Sequence, residues 1–306
     1  MLAWPSFAML KKSLPYAQID VLVPEYTKPL AELCPWIDNV IIDSTRKEDQ
    51  KRLIATIKNE NYSDYICLFS TIRNALLGRK AKIPYRLAPA TKLAQFLFTD
   101  KLKQRRSASI KPEYEYNLDL MKYFLQKKGI FTQAGKPPYL KVKQELKDKL
   151  KVQLFAKMQT EKLKLCFVHA GSGGSATNLS LMQYAELINK LNAVHSEFGF
   201  VLTAGPGEEE NAKELQMLLD KDVSSYVLQS KQGLLCFCET ISCADLFMAG
   251  STGPLHIAGA CNVPTIGFFP AKRSATALRW KPLNSDAKHL AFSSTSEKNE
   301  NELCIN

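Results

Sequence analysis

No apolar run in the 306 residues approaches the length of about 18 that a membrane-crossing helix requires. The opening MLAWPSFAMLKKSLP is not a secretory leader, because Pro5 breaks its apolar part and no small-residue cleavage pattern follows. No glycine-rich loop ends in Gly-Lys-Ser/Thr, which excludes a Walker phosphate loop, and the dinucleotide GxGxxG spacing is missing. Nor is there a repeat at solenoid period. The eight cysteines fall mostly inside apolar runs, and Cys236, Cys238 and Cys243 lack the spacing of a common zinc site. Buried thiols in a reducing compartment are therefore expected, with no metal. Acidic charge is in deficit: 30 Asp and Glu against 41 Lys and Arg leave a formal net charge of +11. That excess suits an anionic partner. In the basic stretch KLKQRRSASIK (101–111) no aromatics interleave as on a base-stacking surface, so a nucleic-acid partner is not expected.

What is present is a regular alternation of short apolar strands and helices, the signature of a parallel sheet covered on both faces. In the first half, strands are expected at 19–23, 40–42 and 65–69, with helices at 2–13, 26–33, 50–58 and 73–77. Residues 92–111 read as a basic segment without periodicity, followed by a helix at 114–125. A Lys-rich polar helix at 146–160 leads to the second half. The hydrophobic share of 45% supports a sizeable core, and two domains are expected, 1–150 and 151–306.

The second half repeats one device three times: an apolar strand ends in a turn rich in glycine and polar groups, and a helix follows. The first turn, after KLCFV (164–168), is HAGSGGSATN. Its glycines and hydroxyls suit close wrapping around a ligand's phosphate oxygens. The second, AGPGEEE (204–210), carries Glu208 and Glu209, either of which suits hydrogen bonds from ribose hydroxyls. The third lies in DLFMAGSTGPLHIAGACNVPTIGFFP (245–270). There Ser251 or Thr252 caps a helix over 255–261, Pro254 suits its first position, and His256 falls in its first turn. Free N–H groups and the positive helix end favour an anion there. Open α/β sheets bind ligands at just such strand C-termini. The tail from Ser293 is polar and is expected to fray.

With those loops the chain resembles glycosyltransferase family 9, the ADP-heptose:lipopolysaccharide heptosyltransferases. The matching stretches are FVHAGSGGSATNLS (167–180), TAGPGEEENAKEL (203–215), GSTGPLHIAGACNVPTIGFFP (250–270) and SATALRWKPL (274–283), with weaker agreement through 10–23, 35–41 and 113–121. The resemblance implies an α/β fold of GT-B architecture, two Rossmann-like domains facing a cleft, with acceptor in the first and nucleotide sugar in the second. The implied enzyme is an inverting glycosyltransferase that moves heptose from ADP-heptose to the lipopolysaccharide inner core, without a cofactor or metal. Alternatives are a member using another nucleotide sugar, or an impaired paralogue that binds nucleotide or glycolipid without turnover.

By position, Gly171, Ser172, Gly173, Gly174, Ser175 and Thr177 would line the diphosphate, Gly205 with Glu208 or Glu209 the ribose, and Ser251, Thr252, Gly253 and His256 the phosphates. Lys272 or Arg273 would supply the cation that many members carry where Thr177 stands here; many also have Asp in place of Ser251. Lys103, Arg105 and Arg106 would face a phosphorylated lipid A–core acceptor, with the protein on the cytoplasmic face of the inner membrane, peripheral to its anionic surface. The family's first strand and its Gly-Asp loop, whose Asp is the expected general base, would lie before Met1. The first domain is thus expected without its first strand, and the activity of the chain turns on that loop.

Overall fold

A computed structural model describes residues 1–44, 46–90, 93–171, 178–229 and 232–294. The chain divides into two compact units, Ala3–Gly135 and Lys136–Asn306, the latter joined by Met1–Leu2. The division precedes the expected boundary at 150. The reason is the helix Gln144–Met158, whose neighbours are elements of the second unit.

In the first unit the described strands form two small parallel sheets. One pairs β1 (Asp20–Val23) with β2 (Asn39–Ile42); the other has the order β3 (Asp64–Ile66), β4 (Tyr85–Pro89), β5 (Asp100–Leu102). The helices Trp4–Ser13 and Glu113–Lys127 pack together over β4 through Met9, Leu10, Leu120, Met121, Leu125 and Leu87. A second cluster joins Leu53 and Ile57 of helix Lys47–Asn59 to Leu77, Ala81 and Ile83. Strands β4 and β5 are not visible in the sequence pattern. Arg86 and Pro89 interrupt β4, and β5 is three residues inside the stretch expected to be aperiodic.

The second unit is built on one six-stranded parallel sheet among the described residues. Its strands are β6 (Lys164–His169), β7 (Phe198–Ala204), β8 (Ser225–Gln229), β9 (Leu246–Gly250), β10 (Thr265–Phe269) and β11 (His289–Ser293), in the order β11-β10-β9-β6-β7-β8. Leu165 to His169 and Gly199 to Ala204 are continuously buried, as expected of strands covered on both faces. Phe167 and Phe247 stack across the β6–β9 pair at 6.4 Å. On the core cluster of Cys166, Val168, Phe200, Leu202 and Met248 lies helix Leu181–Val194, through Tyr184, Ala185 and Ile188. That helix starts with a reciprocal capping box between Ser180 and Gln183, which satisfies two otherwise orphaned N–H groups. The helix Gly233–Ile241, which carries Cys236 and Cys238, and the edge strand β11 are further elements that the sequence pattern did not announce. Beyond Ser294 the polar tail lies outside the described residues.

Candidate functional site

From β6 the chain winds outward through β7 and β8, and then, from β9, outward the other way through β10 and β11. Between β6 and β9 the strand order therefore reverses, and at such a switch point the loops leaving adjacent C-termini diverge and open a crevice. The three glycine-bearing turns lie there and on the next strand: after β6, after β9 and after β7.

The β9 turn leads into the helix Gly253–Ala260. Its N-cap is Thr252, with extended backbone (φ −121°, ψ 168°), and Pro254 stands second in the helix rather than first. The Thr252 hydroxyl does not cap the helix. It is buried, the residue being 8% exposed, and has no hydrogen-bond partner among the described residues. The same is true of Nδ1 of His256, one turn along. Burial drives the His256 imidazole down to about 4, so the ring is neutral near pH 7. The helix itself leaves the first-turn N–H groups of Gly253 and Leu255 unused. At Gly253 a Cβ would meet no atom of the described residues within 4 Å. A buried hydroxyl and a neutral ring nitrogen thus stand unpaired beside the positive end of a helix, an arrangement able to take an anionic oxygen.

The β7 turn selects between its two carboxylates. Glu208 folds back: its Oε2 accepts a hydrogen bond from the Gly205 N–H at 3.1 Å and lies 3.6 Å from Nε2 of His169. Glu209 sits in the first turn of the helix Glu209–Met217, favoured there by the helix dipole. His169, the last residue of β6, is 4% exposed, and its Nδ1 lies 3.0 Å from Thr203 Oγ1 and 3.2 Å from the Thr203 carbonyl oxygen. Burial pushes the His169 imidazole below its ordinary value, against the pull of the Glu208 carboxylate. Gly171 is where it is for a spatial reason: a Cβ there would run into the Glu208 carboxylate. Asn178 ties the far end of the β6 turn down, donating to the Ala170 carbonyl at 2.9 Å and accepting from the Tyr184 hydroxyl at 2.7 Å. It also fills the space in which a Cβ on Gly250 would stand, at 2.5 Å.

The structure thus groups Gly171, Gly205, Glu208, Thr252, Gly253 and His256 at one sheet edge, with Ser251 in the same turn. Ser172, Gly173, Gly174, Ser175 and Thr177 lie outside the described residues. Lys272 and Arg273 are exposed in the turn after β10. Among the cations expected to face an acceptor, Lys103 and Arg105 are exposed, whereas Arg106 is committed inside its own unit. Its Nη1 donates to Glu113 at 2.6 Å, its Nε to Gln104 at 2.9 Å, and its guanidinium lies over the Tyr116 ring. Arg106 is thereby removed from the surface-facing group, because a guanidinium buried to this depth needs its own counterion. His169, Thr203 and Asn178 were missed as contributors. The signal was there in part: a His closing an apolar strand just before a Gly-Ser turn.

No helix of the described residues is long and apolar enough to cross a membrane. Comparison with known proteins agrees with the geometry. The description of glycosyltransferase family 9 (heptosyltransferase) matches residues 50–306. A Haemophilus influenzae protein, named only provisionally as a glycosyltransferase, is 50% identical over 295 residues, covering 95% of this chain and 85% of its own. Among solved structures, the Escherichia coli ADP-heptose lipopolysaccharide heptosyltransferase II aligns with a TM-score of 0.76 at 19% identity, over 97% of this chain and 87% of that one. An E. coli heptosyltransferase with ADP aligns with a TM-score of 0.73 at 16% identity, over 97% and 90%. At such identities the likeness speaks for the α/β, GT-B class of fold, and the match over 50–306 speaks for kinship: the chain belongs to glycosyltransferase family 9.

Proposed function

We propose that this glycosyltransferase moves heptose from ADP-heptose to the inner core of lipopolysaccharide. The observation that carries the reading is a pair of buried polar atoms, Thr252 Oγ1 and His256 Nδ1, without partners among the described residues, at a helix N-terminus on the switch point of a nucleotide-binding type of sheet. Phosphate oxygens are the partners such a corner suits, and Glu208, two strands away at about 10 Å, suits the ribose diol of the same nucleotide. Relatives named for ADP-heptose and one solved with ADP support that donor. As the donor bond breaks, departing ADP gains negative charge while the sugar becomes oxocarbenium-like. Donors already aimed at the phosphates then stabilise the transition state more than the bound substrate. The reading needs no metal and no resident cofactor, with a neutral His256 and helix N–H groups in their place. The basic excess, with exposed Lys103 and Arg105, suits a phosphorylated lipid acceptor at the cytoplasmic surface of an anionic membrane.

A second reading, transfer of another sugar, is favoured by Ser251, which has a hydroxyl where the family often has a carboxylate. One experiment addresses both: transfer to a heptose-deficient inner-core acceptor, with chelator present, from ADP-heptose and from a panel of other nucleotide sugars. Transfer from ADP-heptose alone is expected. Transfer from a different donor would replace the first reading with the second.

A further inference from the structure

The carboxylate of Glu208 occupies a cradle assembled from two neighbouring strand ends, those of β6 and β7. Gly205 holds Oε2 by its N–H, and a Cβ on Gly205 would lie 2.8 Å from that same oxygen. On the far side, Gly171 clears the room that the carboxylate fills. The remaining wall is the His169 ring, almost wholly buried, with Nε2 at 3.6 Å. Its other nitrogen is anchored on Thr203 of the neighbouring strand. At 3.6 Å the contact with Glu208 is electrostatic rather than a hydrogen bond. A proton on Nε2 makes it attractive; Nδ1 then accepts from the Thr203 hydroxyl, which turns to it from the Val168 carbonyl that it otherwise reaches at 3.2 Å. With a bare Nε2, lone pairs would oppose each other.

We infer that His169 is a positioning residue for recognition of the nucleotide's ribose: it holds the Glu208 carboxylate over the ends of β6 and β7, ready to accept from the two ribose hydroxyls. This rests on the reading of Glu208 as the ribose acceptor. The physical gain is pre-organisation. A Glu side chain has three torsions to freeze, and one already held by a buried ring and two glycines spares the nucleotide that cost on binding. His169 itself touches no substrate in this scheme; it acts through Glu208.

The test is calorimetric titration of the purified chain with ADP, with 2′,3′-dideoxy-ADP and with pyrophosphate. The native protein is expected to prefer ADP over the dideoxy nucleotide by about tenfold or more, the scale of a charge-assisted hydrogen bond, and Glu208→Gln to abolish that preference. His169→Leu is expected to abolish it too while leaving pyrophosphate affinity unchanged. The double variant should be no worse than Glu208→Gln alone, because the two act as one unit. His169→Gln, whose amide can still donate towards Glu208, should recover part of the preference. If His169→Leu fails to fold, Thr203→Val, which leaves Nδ1 only the Thr203 carbonyl and so draws the ring proton away from Nε2, serves the same test. Lost preference in Glu208→Gln but full preference in the His169 or Thr203 variant would overturn the inference and leave the ribose reading standing. Equal weakening of ADP and pyrophosphate in the His169 variant would also overturn it, as the mark of a merely structural role. Preference retained in Glu208→Gln would overturn the ribose reading itself, and the inference with it.

Discussion

The two units differ in where their unsatisfied polar groups gather. In the first, charges at the strand ends and loops are matched within the unit. Arg73 forks onto Asp43 at 2.8 and 2.5 Å, Arg106 onto Glu113, and the hydroxyls of Tyr85 and Tyr123 both donate to Asp100. Both units hold buried polar atoms with no partner among the described residues, Ser6 Oγ and Ser70 Oγ in the first for example, but in the second two of them, Thr252 Oγ1 and His256 Nδ1, stand one turn apart at the mouth of one helix. Leaving such an atom unpaired costs about 1–3 kcal/mol, a cost that a fold has reason to carry where a ligand completes the bond. The sheets differ as well. Strands β1, β2 and β3 of the first unit are short and at most half-buried, whereas β6, β7 and β9 are buried along nearly their whole length. A residue's type therefore says little about binding; whether the fold satisfies it says more.

The sharpest way to break this contrast is through the sheets. Phe247→Ala, at the centre of the second sheet and fully buried, is expected to cost about 3–5 kcal/mol in urea unfolding. Val21→Ala, on the two-stranded sheet, should cost clearly less, and equal losses would erase the distinction. Next comes the ion pair: Arg106→Ala takes the buried guanidinium from Glu113 and is expected to cost about 3 kcal/mol. Lys103→Ala and Arg105→Ala should stay within about 0.5 kcal/mol and show instead as a raised KM for the acceptor. A stability loss at Lys103 matching that at Arg106 would undo the separation between them. At the unpaired corner, His256→Ala should lower turnover about 10²-fold with the circular dichroism spectrum unchanged. Unaltered kinetics would remove His256 from the site.

The remaining prediction is in pH. Burial lowers His256 and His289 from 6.5 to about 4 in the folded chain. Below pH 6.5 the unfolded chain therefore binds the extra protons. Stability from these rings is complete above pH 6.5 and falls as pH drops towards 4, by up to about 1.4 kcal/mol per pH unit for each ring. Urea midpoints measured across that window check the sign, and His256→Ala should make the slope shallower. A midpoint indifferent to pH would mean that neither ring is shielded.

Much of the second unit was legible because its strands are apolar runs and its turns carry glycine at strand ends, patterns set by near neighbours in the chain. The helix Gly253–Ala260 was expected within two residues of its bounds, and its glycine-proline entry is a local signal. Strands β4 and β11 were not legible. Arg86 sits inside β4, reaching back to the Ile83 carbonyl at 2.5 Å, and β11 is an edge strand whose Leu290 and Phe292 face outward. Neither shows the buried pattern that sequence reading depends on. The choice between Glu208 and Glu209 was equally closed to sequence, since adjacent carboxylates differ only in what the fold brings up to them.

By itself the sequence determined the local devices: alternating strands and helices, the three glycine-bearing turns, the anion-suited helix entrance and the family. Those follow from steric and hydrogen-bonding preferences acting over a few residues. Only the tertiary structure decided that Thr252 and His256 are left without partners among the described residues, that Arg106 is spent on Glu113, and that His169 reaches Thr203, 34 residues on, and stands beside Glu208. Satisfaction of a polar group depends on partners distant in the chain, and only strand pairing brings them within ångströms.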